Sequence, residues 1–195
     1  MIICCHAKGC NIFEVKDKTF EQIHKSQWFA IRTMQDLRAE KILGLLCDEV
    51  FFPKKIVSVN GKKTRELAII PHVLFIKTSR ENALALEMSG RKYPETSIPF
   101  WIYRYPDDDE IQVISQSAIN LLRLLTADDP TQCEIFNKSD FGKSEQRVRI
   151  IGGIYKGYEG YVKRVKKNKH VIVKIEGVSL VMLPYIHPDL LEKIG

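Results

Sequence analysis

The chain has 195 residues, of which 45% are hydrophobic and 28% are charged, and its net charge is +6. This composition is ordinary for a soluble globular protein, and the length allows one large domain or two smaller ones. No apolar run approaches the roughly 18 residues of a membrane-spanning helix, and the N-terminus lacks the charged start and apolar core of a signal peptide. We therefore expect a cytoplasmic protein that does not contact a membrane.

Five cysteines are present, an odd number, and no two are spaced as C-x-x-C. The sequence therefore indicates neither a zinc ribbon nor a thioredoxin-like redox site. Residues near the N-terminus could together bind a soft metal: Cys4, Cys5, His6 and Cys10. Structural zinc sites usually leave two or more residues between ligands, which this cluster does not. We predict no metal and no other cofactor, and we interpret residues 1–26 as a tail with incidental thiols.

The chain up to residue 78 predicts a strand, a helix and a hairpin. Residues 28–32 (WFAIR) are rich in β-forming apolar side chains, which is typical of a buried strand. A helix is expected next, and Gly44 weakens it only a little; its apolar stripe is formed by Ala39, Ile42, Leu43 and Leu46. Asn60-Gly61 then predicts a hairpin turn. Residues 72–78 (HVLFIKT) are apolar enough for a central strand.

Two more helices are predicted before residue 127. Ser79 is a suitable N-cap for a helix over 80–88, in which the residues available for packing are Ala83, Leu84 and Met88. Strands are expected over 98–105 and 111–114. The apolar face of a third helix, over 115–126, consists of Ala118, Leu121, Leu122 and Leu125. This mixture favours an α+β domain over 27–126, with an antiparallel sheet flanked by helices.

The rest of the chain divides into a linker and a small all-β module. Residues 127–146 lose periodicity, so we interpret them as a linker, in which the EIF segment at 134–136 could dock. Residues 147–195 contain short strands with tight turns, which is typical of a small barrel, and the last strand is expected over 178–183. Residues 147–175 hold nine Lys/Arg and one acid, whereas the remainder of the chain carries a net charge of −2.

The segment RVRIIGGIYKGYEG, residues 147–160, combines an alternating strand with a glycine-rich turn. Glycines allow a sharp corner, and the tyrosines supply large, half-buried anchors. The segment resembles the KOW motif, and the matching positions are Val148, Ile150, Gly153, Tyr155, Gly157 and Gly160. The resemblance implies an SH3-like barrel. KOW modules occur in NusG-type transcription elongation factors and in some ribosomal proteins.

The N-terminal half points to the NusG family. The strand WFAIR followed by a helix containing AEK, then FFP at 51–53, a charged hairpin and HVLFI at 72–76, resembles the NusG N-terminal domain. The order of domain, linker and KOW module is also that of the family. The hairpin insertion and the length look most like the RfaH-like and UpxY-like antiterminators of surface-polysaccharide operons.

This resemblance implies a protein without catalytic activity that binds the clamp helices of RNA polymerase and suppresses pausing. Carried over by position, the polymerase contacts fall on Ile70, Pro71, His72, Val73 and Phe75. Ile70 stands where the family has phenylalanine, and Val73 stands where it has tyrosine. We expect Ile70 and His72 at the surface and at least one of Val73 and Phe75 in the core. A monomer is expected.

The KOW module of general NusG proteins recruits Rho or a small-subunit ribosomal protein, partly through a Phe-Gly pair. The matching pair here is Glu176-Gly177, so a carboxylate replaces an apolar anchor, which argues against both partners. The basic hairpin is a candidate contact for nucleic acid of the elongation complex, through Lys163, Arg164, Lys166, Lys167 and Lys169. The alternative is a solvated hairpin whose lysines prevent aggregation.

Two other functional classes are weaker. A KOW-containing RNA-binding or ribosome-binding protein would explain the positive charge but not the domain over 27–126. An enzyme is not supported, because the five histidines are scattered and no phosphate-binding Gly-Lys-Ser/Thr loop is present.

Overall fold

The computed structural model describes residues 25–59, 63–127, 134–136, 146–165, 168–175 and 177–194. Three α-helices and three antiparallel sheets make up these ranges, so the fold is α+β as predicted. Within the ranges, none of the helices has both the length and the apolar character that crossing a bilayer requires.

The N-terminal module is built on a mixed run of strands and helices. The elements are β1 (Gln27–Arg32), α1 (Asp36–Leu43), β2 (Glu49–Phe51), β3 (Lys54–Val59), β4 (Lys63–Ala68), β5 (Val73–Thr78), α2 (Arg80–Lys92), β6 (Trp101–Ile102), β7 (Val113–Ile114) and α3 (Gln116–Ala127). The main sheet has the order β2-β5-β1-β6, with β7 also paired to β1, and all of its pairs are antiparallel. Strands β3 and β4 form a separate hairpin, as predicted.

Strand alternation gives the main sheet two buried faces. Leu74 and Ile76 of β5 face a cluster that includes Ala39 of α1 and Ala83 of α2. Val73 and Phe75 belong to the cluster on the other face, which includes residues of α3. Since each large buried side chain contributes roughly 1.5–3 kcal/mol, a strand buried on both faces anchors the module. The prediction that residues 72–78 form a central strand is confirmed.

The helices follow the predicted pattern at their starts but not at all of their ends. Ser79 caps α2, because its Oγ accepts a hydrogen bond from the backbone N–H of Asn82 at 3.2 Å. The apolar stripe assigned to the first helix is too long, since α1 ends at Leu43, Gly44 is its C-cap, and Leu46 is 50% exposed. Met88 was also wrongly expected to pack, as it is 70% exposed.

Of the strand predicted over 98–105, only the two residues of β6 are strand. Residues 98 and 99 contact α2 instead, and they pass so close to it that a Cβ on Gly90 would overlap the carbonyl oxygen of Ile98. The carbonyl of Pro99 accepts a hydrogen bond from the Thr33 hydroxyl at 2.9 Å. The segment therefore packs against the helix instead of lengthening the strand.

The C-terminal module is one antiparallel sheet of six strands. These are β8 (Glu134–Phe136), β9 (Gln146–Ile150), β10 (Glu159–Val165), β11 (Asn168–Ile175), β12 (Ser179–Met182) and β13 (Leu191–Lys193), with a 3₁₀ turn at Pro188–Leu190. The order is β13-β9-β10-β11-β12-β8. The expectation that 178–183 holds the last strand is wrong, because β13 pairs with β9. The EIF segment docks as β8 on β12.

The all-β character of this module is confirmed for the residues described, whereas its closure is not shown. No pairing joins the two outer strands β13 and β8 within the described ranges, so the sheet is open. The limits of the predicted tail, linker and two domains remain predictions.

The two modules touch each other. The Tyr158 hydroxyl donates a hydrogen bond to the carbonyl of Ser117 at 3.3 Å, near the start of α3. Gly177 lies against the amide of Gln112, close enough that a Cβ would overlap it. The buried residues of both modules also form a continuous hydrophobic cluster. The modules therefore pack together through one face of α3 and through the residues that precede this helix.

Candidate partner-binding surfaces

The predicted polymerase contact begins with a tight turn before β5. The backbone N–H of Val73 donates to the carbonyl of Ile70 at 3.3 Å, and His72 has a φ of 63°. Proline at the second position and positive φ at the third are typical of a type II turn, where glycine or asparagine is the usual third residue. The conformation costs histidine about 1 kcal/mol. Sequence reasoning missed this turn, although Pro71 was a signal for it.

The predicted contact residues divide between surface and core. Pro71 is exposed, and the His72 side chain is 39% exposed. Ile70 was expected at the surface, but it is only 5% exposed because it joins the hydrophobic cluster of β5 and α3. Val73 and Phe75 are both in the core, since alternate residues of a strand share a face. Of the five residues, only Pro71 and His72 are therefore accessible to a partner.

The accessible turn is held against the start of α1. The carbonyl of His72 accepts a hydrogen bond from the backbone N–H of Thr33 at 3.0 Å. The Nδ1 of the His72 ring lies 3.4 Å from the Asp36 carboxylate. Each of these two partners of His72 is followed in sequence by an exposed apolar side chain, Met34 at 70% and Leu37 at 65%. We call the group Met34, Leu37, Pro71 and His72 the turn patch.

A cluster of aromatic and basic side chains lies beside β5, on the side of the sheet that α3 covers. The Arg123 guanidinium is 5.6 Å from the ring of Trp28 and 5.5 Å from that of Phe51, and it pairs with Glu49. Phe51 in turn packs on Phe75, with ring centroids 6.2 Å apart. These cation–π contacts join α3 to the sheet. The cluster was not predicted, because Arg123 lies outside the apolar stripe of its helix and nothing local marks its partners.

The residues that match the KOW motif build the corner between β9 and β10. Val148, Ile150 and Tyr155 are buried. Gly153 and Gly157 have φ of 76° and 91°, values that side chains disfavour. A Cβ on Gly160 would lie 2.6 Å from the carbonyl oxygen of Ile172, so this glycine lets β10 approach β11 closely. The motif residues therefore shape this module.

Part of the predicted basic contact lies within the described residues. Arg164 and Lys169 are exposed and opposite each other in the β10–β11 register. Lys163 is partly buried and lies opposite His170. Lys166, Lys167 and Glu176 lie outside the described residues. Gly177 contacts the N-terminal module, as reported above.

Two arginines of the basic segment are already engaged. Arg149 and Arg147 both bind the Glu159 carboxylate, at 2.7 Å each. The hydrogen bond from Arg149 is the main reason why the pKa of Glu159 is lowered, and Arg147 adds to the effect. The positive charge available to a partner is therefore smaller than the number of Lys and Arg residues in 147–175 suggests.

Two further features of the described part of the chain are the arrangement of its potential metal ligands and the state of the Cys47 thiol. No group of three or more His, Cys, Asp or Glu is arranged to hold a metal there. Burial, aided by the nearby Asp48 charge, raises the pKa of the Cys47 thiol to about 11, so the thiol stays protonated and unreactive at neutral pH. The N-terminal cluster Cys4, Cys5, His6 and Cys10 lies outside the described residues.

No protein-family model matches the chain, and no curated protein sequence is significantly similar to it.

Proposed function

We propose that this protein is a transcription elongation and antitermination factor of the NusG type, specialised like the RfaH-like and UpxY-like proteins. In this proposal it acts without catalysis, as a cytoplasmic monomer on a polysaccharide operon. The N-terminal module binds the clamp helices of RNA polymerase, and the C-terminal module is the KOW barrel. Support comes from the sequence resemblance and from the order of an α+β module followed by a β module.

The turn patch is the observation that carries this proposal. The predicted contact coincides with a turn in which an exposed histidine keeps a backbone conformation that is unfavourable for it. Strained residues of this kind are enriched at functional sites. Met34 and Leu37, which follow in sequence the two residues that hold the turn, add exposed apolar side chains of the kind found at the centre of protein interfaces. The patch therefore replaces the five-residue groove that the resemblance implied.

Met34 offers a direct test, because the chain contains a matched control. Met34 and Met88 are both 70% exposed, and only Met34 lies in the turn patch. We expect Met34→Glu to weaken binding to core RNA polymerase about tenfold, since a buried charge at an interface centre costs more than about 1.4 kcal/mol. Met88→Glu is expected to bind normally.

Binding is measured by biolayer interferometry, and circular dichroism confirms that both variants fold. Equal affinity of both variants for polymerase would show that the turn patch is not the contact. Ile70→Glu is unsuitable for this test, because a charge at a residue 5% exposed unfolds the core.

The alternative is a KOW-containing RNA-binding or ribosome-binding protein, favoured by the exposed pair Arg164 and Lys169. This alternative predicts that binding to ribosomal subunits depends steeply on salt, since each neutralised phosphate releases a counterion. It also predicts that Met34→Glu leaves that binding unchanged.

A further inference from the structure

The open end of the C-terminal sheet contains a cavity of about 310 Å³. Most of its walls are aliphatic side chains of β9, β10, β11, β13 and the segment before β13: Val148, Val162, Val171, Ile186, Pro188 and Leu191. One aromatic ring, that of the exposed Tyr185, also lines it. Ligand sites commonly have volumes of about 300–1,000 Å³. This cavity lies at the lower limit, so it accommodates one or two apolar side chains but not a large cofactor.

The strand register explains why the cavity is apolar inside. Val162 of β10 lies opposite Val171 of β11, and Val148 of β9 lies opposite Gly160, two residues before Val162. Residues opposite each other, and alternate residues of one strand, share a face of the sheet, so the three valines line the same side. Exposed residues at the edge of the cavity, among them Lys169 and Tyr185, show that it opens to solvent.

The rim of the cavity is basic. Lys169 is two residues from Val171 on the same strand, and therefore on the same face, and Lys193 shares that face through its pairing with Val148. Both lysines are exposed, and Arg164 lies opposite Lys169. None of the described residues that line the cavity is acidic. The positive potential at the rim therefore has no opposing charge among its lining residues.

One polar side chain shares the apolar face of the cavity. Gln146 lines the cavity and lies opposite Val162 in the β9–β10 register, so its amide can hydrogen-bond a peptide main chain. His170 also borders the cavity, but its side chain belongs to the other face of β11, because it lies between Lys169 and Val171.

We propose that this cavity binds a short acidic peptide segment of a partner protein. One or two apolar side chains of the segment enter the aliphatic cavity, and flanking carboxylates pair with Lys169 and Lys193. A nucleobase fits less well, because most of the described lining residues are aliphatic, and stacking of successive bases requires several aromatic faces where Tyr185 offers one exposed ring. The described residues of the site all belong to the C-terminal module, and the site does not depend on polymerase binding.

The test uses the full chain, labelled with ¹⁵N, and the acidic peptide acetyl-EDLFED-amide at concentrations up to about 1 mM. We expect saturable shifts of the amide signals of Val148, Val162 and Val171. The double variant Lys169→Glu with Lys193→Glu is expected to bind about tenfold more weakly, because two favourable charge pairs become repulsive. Lys174→Glu is the matched control, since Lys174 is exposed on the opposite face of β11.

Two further probes complete the experiment. The peptide acetyl-EDSSED-amide lacks the apolar pair and is expected not to bind. A ten-nucleotide oligouridine RNA is expected to leave the three valine signals unshifted. The proposal is overturned if EDLFED does not bind, if the lysine double variant binds it as well as Lys174→Glu does, or if the RNA shifts the cavity signals more strongly than the peptide.

Discussion

The Glu87 carboxylate is the most connected charged group in the core of the N-terminal module. It is 3% exposed, yet it binds Arg91 at 2.9 Å, Arg104 at 2.8 Å and the backbone N–H of Ile102 at 2.9 Å. One residue thus joins α2 to β6 and to the chain that follows. A buried carboxylate is tolerated because its charge is paired and its oxygens accept hydrogen bonds.

Replacing Glu87 by glutamine should therefore destabilise the fold. Glu87→Gln removes the charge that two arginines share, and we expect the free energy of unfolding to fall by about 2–4 kcal/mol. Urea denaturation measures this change. The control is Glu81→Gln, in the exposed first turn of the same helix, for which we expect less than about 0.5 kcal/mol. Similar denaturation midpoints for the two variants would refute the structural role of Glu87.

Two glycines of the KOW-like corner should respond differently to substitution. A Cβ on Gly160 would lie 2.6 Å from a backbone oxygen and 2.8 Å from Val171, so Gly160→Ala should cost about 1–3 kcal/mol. Gly153 has open space around it and needs only a positive φ, which asparagine tolerates, so Gly153→Asn should cost less than about 1 kcal/mol. Thermal unfolding compares them, and a reversed order would contradict the assigned roles.

At the scale of elements, the salt bridges of Glu159 link β9 to β10. The pKa of Glu159 is lowered in the fold, so its pairing stabilises the protein above the ordinary glutamate pKa of 4.5 and is lost as the pH falls through the lowered value. We expect Glu159→Gln to have a lower melting temperature than the parent at pH 7. Below pH 4.5 this difference should shrink and disappear. A difference that is independent of pH would mean that the ion pairs do not stabilise the sheet.

Periodicity predicted the elements whose apolar faces are strong and local. The strand β5 and the capped start of α2 were predicted correctly, and so were three of the four residues assigned to the stripe of α3. The fully buried Ile119 was missed in that stripe, and Ala118, which was included in it, is only partly buried. The elements that depend on distant partners were not. Strand β13 has three residues and no alternating pattern, and it exists because β9 offers it an edge. The shortening of β6 likewise depends on the contact between Gly90 and Ile98.

The sequence predicted the strand that begins after the turn, but neither the turn itself nor which of its residues are accessible. The alternation along β5 was visible in the sequence, but a linear pattern cannot tell which side of β5 is covered by α3. Met34 and Leu37 were missed because they join the turn only through the contacts of Thr33 and Asp36 with His72. Such contacts between residues far apart in sequence leave no local signal.

At the scale of the whole molecule, the two modules pack together while leaving separate surfaces exposed. The contact between the modules is made by Tyr158 and Gly177, which lie in loops of the C-terminal module. The turn patch lies at the turn before β5 and at the start of α1. The cavity with its basic rim lies in the C-terminal module. In our account the protein is a connector, in which one surface binds polymerase and another binds a peptide of a second protein.

The most direct test of this account is transcription by purified core RNA polymerase on a template with a defined pause site, with and without the protein. We predict that the protein binds the elongation complex and shortens the pause, and that Met34→Glu shortens it far less than Met88→Glu does. Binding to ribosomal subunits in a parallel assay, with no effect on the pause and no association with polymerase, would contradict the proposed function.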